Sequence, residues 1–172
     1  MSQRTDSYEI GRLGLTSGQG QRVDLYVHVE PFEYAGSNYT VPEELVPVRL
    51  DISRTTGDGW ALRLRFSARV DGPCMRCLEL ATPKFDVDSY EVHQPGAGVD
   101  LVSPYLGDDG DLDLQGWARD ALALALPTQI FCRRACAGLC VRCGANLNED
   151  PDHAHEAEPD PRWGKLSELK FD

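Results

Sequence analysis

The sequence predicts an α+β fold: an antiparallel β-meander or partial barrel closed by one amphipathic helix, with a small cysteine-rich appendage at its C-terminal end. Three observations predict it. Apolar and polar residues alternate in several segments between residues 23 and 92, as in half-buried strands. A single helical apolar stripe begins at residue 114, and four cysteines lie within residues 132–143. The 172 residues are enough for one domain with a small addition.

Composition and spacing divide the chain into a core domain and four smaller segments. A flexible lead-in, with one short strand around Tyr8–Leu13, precedes the core. A cysteine-rich module, an acidic linker and a short C-terminal helix follow it, and the helix begins at Asp160 and Pro161. The predicted segments are, in order, 1–20, 21–127, 128–148, 149–159 and 160–172.

Four segments of the core domain are predicted to be strands. The run V-D-L-Y-V-H-V-E at 23–30 places four apolar side chains on one face and four polar side chains on the other. A hairpin follows, with strands at about Val46–Arg54 and Trp60–Val70, because the glycines of its T-T-G-D-G loop supply the positive φ of a tight turn. The last strand is expected at about Pro83–Val92.

One helix is predicted from Leu114, with Asp113 as its N-cap and Pro127 as its stop. Leucine, alanine and tryptophan recur at helical spacing along a continuous stripe that ends at Leu126. We expect this stripe to cover the open face of the sheet, with Trp117 as its largest anchor.

Four cysteines with the spacing C-x3-C-x3-C-x2-C are candidate ligands of one structural zinc ion. Four thiolates complete the tetrahedral shell that zinc takes in structural sites. In a chain without a secretory signal, closely spaced cysteines are more often metal ligands than disulfides. The predicted ligands are Cys132, Cys136, Cys140 and Cys143.

Two other groupings of the metal ligands stay open. In one, the C-x-x-C turn at Cys74 and Cys77 joins the last cysteine pair of the local set, as in a zinc ribbon. In the other, His153 or His155 replaces one thiolate. The local set of four is preferred because it requires no contact between distant parts of the chain.

Outward-facing arginines form a candidate partner-binding or RNA-binding surface. Residues 49–84 contain seven basic and four acidic residues, a local charge of +3 in a chain of net charge −11. Such a face can bind an anionic partner, or it can simply be solvated. The candidates are Arg49, Arg63, Arg65, Arg69 and Arg76 on the strands and turn, with Arg133, Arg134 and Arg142 around the metal.

Charge and motifs exclude several classes of protein. The net charge of −11 argues against a general nucleic-acid binder, which is usually basic. The chain has no membrane-length apolar run and no signal-like N-terminus, so we expect a cytoplasmic protein without membrane contact. Four thiolates leave no open catalytic position on zinc, and common catalytic motifs are absent. We therefore expect neither an enzyme nor a small-molecule substrate; a thiol redox role for Cys74 and Cys77 is the main enzymatic alternative.

Four motifs occur in a distinctive order. They are G-P-C-M-R-C-L at 72–78, D-L-D-L…W-A-R-D-A-L-A-L-A-L-P at 111–127, C-x3-C-A-G-L-C-x-x-C-G-A-N-L-N at 132–148, and D-P-R-W-x-x-L-x-x-L at 160–169. Together they resemble the YceD family, the bacterial and plastid proteins named for large ribosomal RNA subunit accumulation. The resemblance covers about residues 45–170 and is strongest to the cysteine-rich, actinobacterial-type branch.

The resemblance implies a non-enzymatic cytoplasmic factor that supports 23S rRNA accumulation and biogenesis of the large ribosomal subunit. Its partner would be large-subunit rRNA, a ribosomal protein or the pre-ribosome. Because other branches of the family lack part or all of the second cysteine motif, zinc is expected to be structural, and Arg76 and the arginine-bearing strands carry the function. Alternatively, the acidic segments 100–113 and 149–160 bind a basic ribosomal protein without direct RNA contact.

Overall fold

The computed structural model describes residues 3–96, 98 and 101–155. Ten strands and one α-helix form the described fold, and every strand pairing is antiparallel. The elements are β1 (Ser7–Glu9), a 3₁₀ turn (Ile10–Leu13), β2 (Gly20–Val27), β3 (Phe32–Tyr34), β4 (Ser37–Tyr39), β5 (Val46–Arg54), β6 (Trp60–Arg69), β7 (Gly72–Pro73), β8 (Leu80–Ala81), β9 (Lys84–His93), β10 (Asp111–Asp113) and α1 (Leu114–Ala125).

The centre of the fold is a four-stranded sheet in the order β2-β5-β6-β9. In β5 and β6 every second side chain is buried, so one face of the sheet is the core face and the other faces solvent. The core face includes Leu50, Leu62 and Leu64, none more than 1% exposed. The predicted antiparallel meander is confirmed, but among the described residues its outer strands β2 and β9 do not pair, so the sheet does not close into a barrel.

Helix α1 covers the core face, as the apolar stripe predicts. Its N-cap is Asp113, whose carboxylate accepts the N–H of Gly116 at 2.9 Å. Trp117 is 1% exposed; its indole N–H donates to the Ser89 hydroxyl of β9 at 3.0 Å, and its ring stacks on Tyr105. Helix and sheet therefore share one core, and the indole N–H is satisfied within it.

The N-terminal segment takes part in the core. We expect residues 1–20 to be a flexible lead-in, yet β1 pairs with β10 in the structure, and Ile10 of the following 3₁₀ turn is fully buried. Residues Ile10–Leu13 form that turn instead of continuing the predicted strand. The sequence offered little sign of this, because a three-residue strand is too short to show a period of two.

Two small hairpins extend the fold beyond the sheet. The hairpin of β3 and β4 brings Tyr39 against β7, where its hydroxyl donates to the carbonyl of Pro73 at 2.9 Å. Gly72 is required at this contact, because a Cβ there would lie 2.1 Å from the Tyr39 ring. This packing holds the turn between β7 and β8 rigidly to the core, and that turn carries Cys74 and Cys77.

The C-terminal end is described only in part. The acidic linker predicted at 149–159 is described as far as residue 155, and the predicted helix at 160–172 lies outside the described residues. No helix among the described residues has both the length and the apolar character needed to cross a membrane.

Candidate metal centres

The first candidate centre begins with the turn between β7 and β8. The Cys74 N–H donates to the Glu79 carbonyl at 2.7 Å, and the Leu78 N–H donates to the Cys74 carbonyl at 2.9 Å. Leu78 has a φ of 64°, a value that favours glycine, so this side chain stands at a strained position of the turn. The two bonds close a knuckle that points both sulfurs of Cys74 and Cys77 inward, where these cysteines are 0% and 3% exposed.

The segment after α1 returns to this turn and packs on it. The Met75 N–H donates to the carbonyl of buried Ile130 at 2.9 Å, and the Leu139 N–H donates to the Arg76 carbonyl at 3.1 Å. The Arg76 guanidinium in turn donates to the Cys136 carbonyl at 2.6 Å. These bonds bring Cys132 and Cys136 to Cys74 and Cys77 across a sequence separation of 55 to 62 residues.

Four sulfurs meet here at the spacing of a tetrahedral metal site. Cys74 Sγ lies 3.8 Å from Cys136 Sγ, and Cys77 Sγ lies 3.6 Å from Cys132 Sγ. All four sulfurs are within 4.8 Å of one another. A zinc ion with Zn–S bonds of about 2.3 Å has S···S edges of about 3.8 Å. The cysteines are free, and their S···S distances are too long for disulfides, so this four-cysteine cluster fits a metal ion.

The proton affinities of the sulfurs also fit a bound cation. Burial, together with the neighbouring sulfurs, raises the pKa of Cys77 to about 12. Burial likewise raises the pKa of Cys132. Burial also acts on Cys74, but backbone N–H donors from Arg76 and Cys132 bring its pKa down to about 6. One thiolate therefore forms readily, whereas four adjacent thiolates need a positive ion to offset their repulsion.

A second group of donors lies outside the first. Two sulfurs and two ring nitrogens lie within 4.8 Å of one another here, from Cys140, Cys143, His153 and His155. Cys140 Sγ is 3.2 Å from His155 Nε2, and Cys143 Sγ is 3.2 Å from His153 Nε2. Cys143 and His155 are exposed, in contrast to the buried first cluster. We call this group the Cys₂His₂ cluster.

The structure divides the four predicted zinc ligands between these two clusters. Cys132 and Cys136 join Cys74 and Cys77, whereas Cys140 and Cys143 join the two histidines. The preference for a purely local set is thereby corrected, because the turn between β7 and β8 supplies two buried sulfurs that sequence distance concealed. The zinc-ribbon alternative also differs from the structure. The histidine alternative agrees best with the structure, although it replaced only one thiolate with a histidine, whereas both His153 and His155 lie beside the sulfurs of Cys140 and Cys143. Metal binding itself stays a prediction.

The strand arginines lie on the solvent face of the sheet, each beside an aspartate. Arg49 pairs with Asp24 at 2.8 Å, and Arg63 forms two bonds with Asp88 at 2.7 and 2.8 Å. Arg65 pairs with Asp51, which also accepts from Arg22. Arg69 lies 3.2 Å from Asp71. The local charge of +3 therefore omitted Asp24, Asp86 and Asp88, which strands β2 and β9 bring to the same face.

The remaining candidate arginines lie at the clusters. Arg76 holds the Cys136 carbonyl and lies over the Phe131 ring at 5.3 Å from its centroid. Arg133 and Arg134 are exposed beside Cys132, and Arg142 is exposed in the knuckle of the second cluster. The eight predicted residues thus form two groups, one on the solvent face of the sheet and one around the cysteines.

Asn148 is a residue at this site that sequence analysis missed. Its side-chain N–H lies 3.5 Å from Cys136 Sγ, and its side-chain oxygen accepts the N–H of Ala137 at 2.8 Å. This contact lowers the pKa of Cys136 against the opposing effect of burial. Such an outer contact orients a metal ligand. The only available signal was the asparagine pair in G-A-N-L-N, which reads equally well as a loop.

Comparisons with known proteins give one family. The family model described as large ribosomal RNA subunit accumulation protein YceD matches residues 62–170, a range that includes α1 and both clusters. An uncharacterized protein of Mycobacterium leprae is 41% identical over 158 residues, which are 87% of this chain and 71% of the relative. An uncharacterized protein of Mycobacterium tuberculosis is 37% identical over 103 residues, or 57% of this chain and 49% of the relative.

A plant protein extends this similarity beyond bacteria. It is the Arabidopsis thaliana chloroplast protein named large ribosomal RNA subunit accumulation protein YCED homolog 1, with 33% identity over 60 residues, 35% of this chain and 19% of the relative. The chain spans about half the length of the first curated relatives it matches. No solved structure matches.

Proposed function

The chain belongs to the YceD family of large ribosomal RNA subunit accumulation proteins, and we propose that it is a non-enzymatic cytoplasmic factor supporting accumulation of 23S rRNA and biogenesis of the large ribosomal subunit. The observation that carries the proposal is the family match over residues 62–170. That range holds the C-M-R-C turn, helix α1 and the segment that returns to the turn. A ribosome-related partner follows from the family description.

A structural zinc ion in the four-cysteine cluster is part of the proposal. Four thiolates at tetrahedral spacing suit zinc and leave no position open for a substrate. Cys74 is fully buried, which also argues against a redox role, because a substrate disulfide needs access to the attacking sulfur. The ion would fasten the segment around residues 130–139 to the turn between β7 and β8.

The proposed contact surface is the cysteine-rich end of the molecule. Arginines of the sheet are compensated by aspartates, so an RNA phosphate would have to displace a carboxylate from each of them. Arg133 and Arg134 are exposed beside the four-cysteine cluster and are better placed for an anionic partner such as rRNA, and Arg142 is exposed in the neighbouring knuckle. Arg76 contributes by holding the Cys136 carbonyl, which positions this segment.

A protein-binding adaptor is the second candidate, and the ion pairing of the sheet favours it. With its arginines compensated, this face offers little net positive charge, while the whole chain carries −11. A chain with this balance suits a basic ribosomal protein as partner better than naked RNA. The two candidates share the family role and differ only in what the molecule touches.

Deletion of the gene in its bacterial host tests the role in rRNA accumulation. We expect a lower ratio of 23S to 16S rRNA and a smaller large-subunit peak in a sucrose gradient, both restored by the intact chain. An unchanged ratio in the deletion strain would refute the proposal.

The contact surface is tested in the same strain with charge reversals. Arg133→Glu combined with Arg134→Glu should weaken co-sedimentation with pre-ribosomal particles. The matched control, Arg12→Glu with Arg119→Glu, reverses two solvent-accessible arginines that belong to neither cluster and should leave co-sedimentation unchanged. Nuclease treatment before affinity capture separates the two candidates, because a nuclease-resistant ribosomal protein supports the adaptor and a nuclease-sensitive complex supports RNA contact.

A further inference from the structure

The Cys₂His₂ cluster is separate from the four-cysteine cluster and has the donors of a second metal site. We propose that Cys140, Cys143, His153 and His155 bind a second zinc ion, which is loaded independently of the four-cysteine cluster and exchanges with zinc in solution. Two thiolates and two imidazoles form a ligand set that zinc takes in tetrahedral structural sites, and Ca²⁺ and Mg²⁺ prefer oxygen ligands instead.

The backbone around Cys140 and Cys143 is built as a metal knuckle. The Gly144 N–H donates to the Cys140 carbonyl at 2.8 Å, and the Cys140 N–H donates to the Ala145 carbonyl at 2.8 Å. Gly144 has a φ of 75°, which allows this tight reversal. The backbone N–H groups of Arg142 and Cys143 point at Cys140 Sγ, so the knuckle surrounds this sulfur with hydrogen-bond donors.

The histidines return to the knuckle with the correct nitrogen forward. The loop between Cys143 and His153 is anchored by the Leu147 N–H, which donates to the Gly138 carbonyl at 2.9 Å. His153 Nδ1 lies 3.5 Å from the Asp150 carboxylate, and its Nε2 faces the cluster, 3.2 Å from Cys143 Sγ. The two Nε2 atoms are 3.0 Å apart, near the edge of about 3.3 Å expected for two nitrogens on one zinc.

Solvent access distinguishes the two centres. Three of the four cysteines in the four-cysteine cluster are at most 3% exposed, and its ligands come from chain segments more than 50 residues apart. Cys143 and His155 of the second cluster are exposed, and all four ligands lie within residues 140–155. A competing ligand can therefore reach the ion of the Cys₂His₂ cluster directly, whereas release of an ion from the four-cysteine cluster requires the core to open.

Native mass spectrometry of the full chain, followed by exchange against isotopically enriched zinc, tests the inference. We expect two zinc ions in the unaltered protein, one of which exchanges at least about tenfold faster than the other, because its release does not require the core to open. Changing His153→Asn together with His155→Asn should leave one zinc, the slow one. His28→Asn, a histidine outside both clusters, should keep both ions.

A second measurement protects the test against a misfolded variant. The unaltered protein loaded with Co²⁺ should show a fast-exchanging population with about half the thiolate-to-cobalt charge-transfer intensity of the slow one, because it has half the sulfurs. A single zinc in the unaltered protein, two zinc ions in the double variant, or one common exchange rate would each overturn the inference. None of these results depends on the ribosomal role, since each is read from metal content.

Discussion

Charged side chains on neighbouring strands of the sheet form ion pairs across its solvent face. Asp51 on β5 lies 2.5 Å from both Arg22 on β2 and Arg65 on β6. The hydrogen bond from Arg22 is the larger cause of the lowered pKa of Asp51, and the bond from Arg65 adds to it. One carboxylate therefore links three strands, at a position where its side chain is 23% exposed.

Asp51→Asn should reduce the pH dependence of stability. The folded pKa of Asp51 lies below the unfolded value of about 3.9, so its ion pairs stabilise the protein above that pH and are lost as the pH falls through the folded pKa. We expect the variant to be less stable by about 1 kcal/mol at pH 7, with the difference from the unaltered protein shrinking as the pH falls below about 4. Urea unfolding between pH 7 and 3 measures it.

Asp58→Asn is the matched control for this prediction. Its carboxylate also pairs with an arginine, Arg54, but the side chain is 88% exposed, so its loss should change little at any pH. An Asp51→Asn difference that persists unchanged at pH 3 would contradict the ion-pair account.

At the scale of elements, helix α1 depends on one aromatic side chain. Trp117 fills the space between the helix and β9, stacks on Tyr105 and donates its indole N–H to Ser89. Tyr105 is itself held by its hydroxyl, which donates to Asp120 one turn further along the helix at 3.1 Å. The helix is thus fixed both to the sheet and to the loop that precedes it.

Trp117→Ala should lower the free energy of unfolding by about 3–5 kcal/mol, because it leaves a cavity in the core and an unpaired hydroxyl on Ser89. Leu124→Ala on the same helix is the control: this side chain is 86% exposed, and its removal should cost no more than about 0.5 kcal/mol. Thermal and urea unfolding measure both. Similar losses in the two variants would show that the helix does not pack as described.

At the scale of the whole molecule, the four-cysteine cluster joins two distant parts of the chain. The turn between β7 and β8 is held to the core by Tyr39 and Pro73, and the segment after α1 is held to that turn by the Arg76 and Ile130 bonds. Burial of Ile130 also holds this segment, and a metal ion bridging the four sulfurs would add to its order.

Cys136→Ser should therefore loosen the segment without unfolding the sheet. We expect loss of the slowly exchanging zinc and faster amide exchange at Met75, Leu139 and their neighbours, while β5 and β6 keep their protection. Cys143→Ser, in the second cluster, should leave protection of Met75 unchanged. Hydrogen exchange followed by mass spectrometry measures both. Equal protection of Met75 in the two variants would show that the four-cysteine cluster needs no metal to hold this segment.

Local patterns in the sequence determined the long strands β5, β6 and β9, the helix α1 and the identity of the donor residues. A period of two placed β5 at Val46–Arg54, and a capping aspartate with a helical stripe placed α1 from Leu114, because each signal lies within a few residues of the chain. The six cysteines and the two histidines of the clusters were likewise visible as potential ligands.

Only the tertiary structure decided which of these residues meet. Cys132 joins Cys77 across 55 residues, and Asp88 reaches Arg63 only because β9 pairs with β6 in one register. Sequence distance favoured one local zinc site and a face of net positive charge, whereas the structure divides the ligands between two clusters and places aspartates beside the arginines. Strand pairing and the packing of the returning segment are set by burial of the whole core, which no local pattern contains.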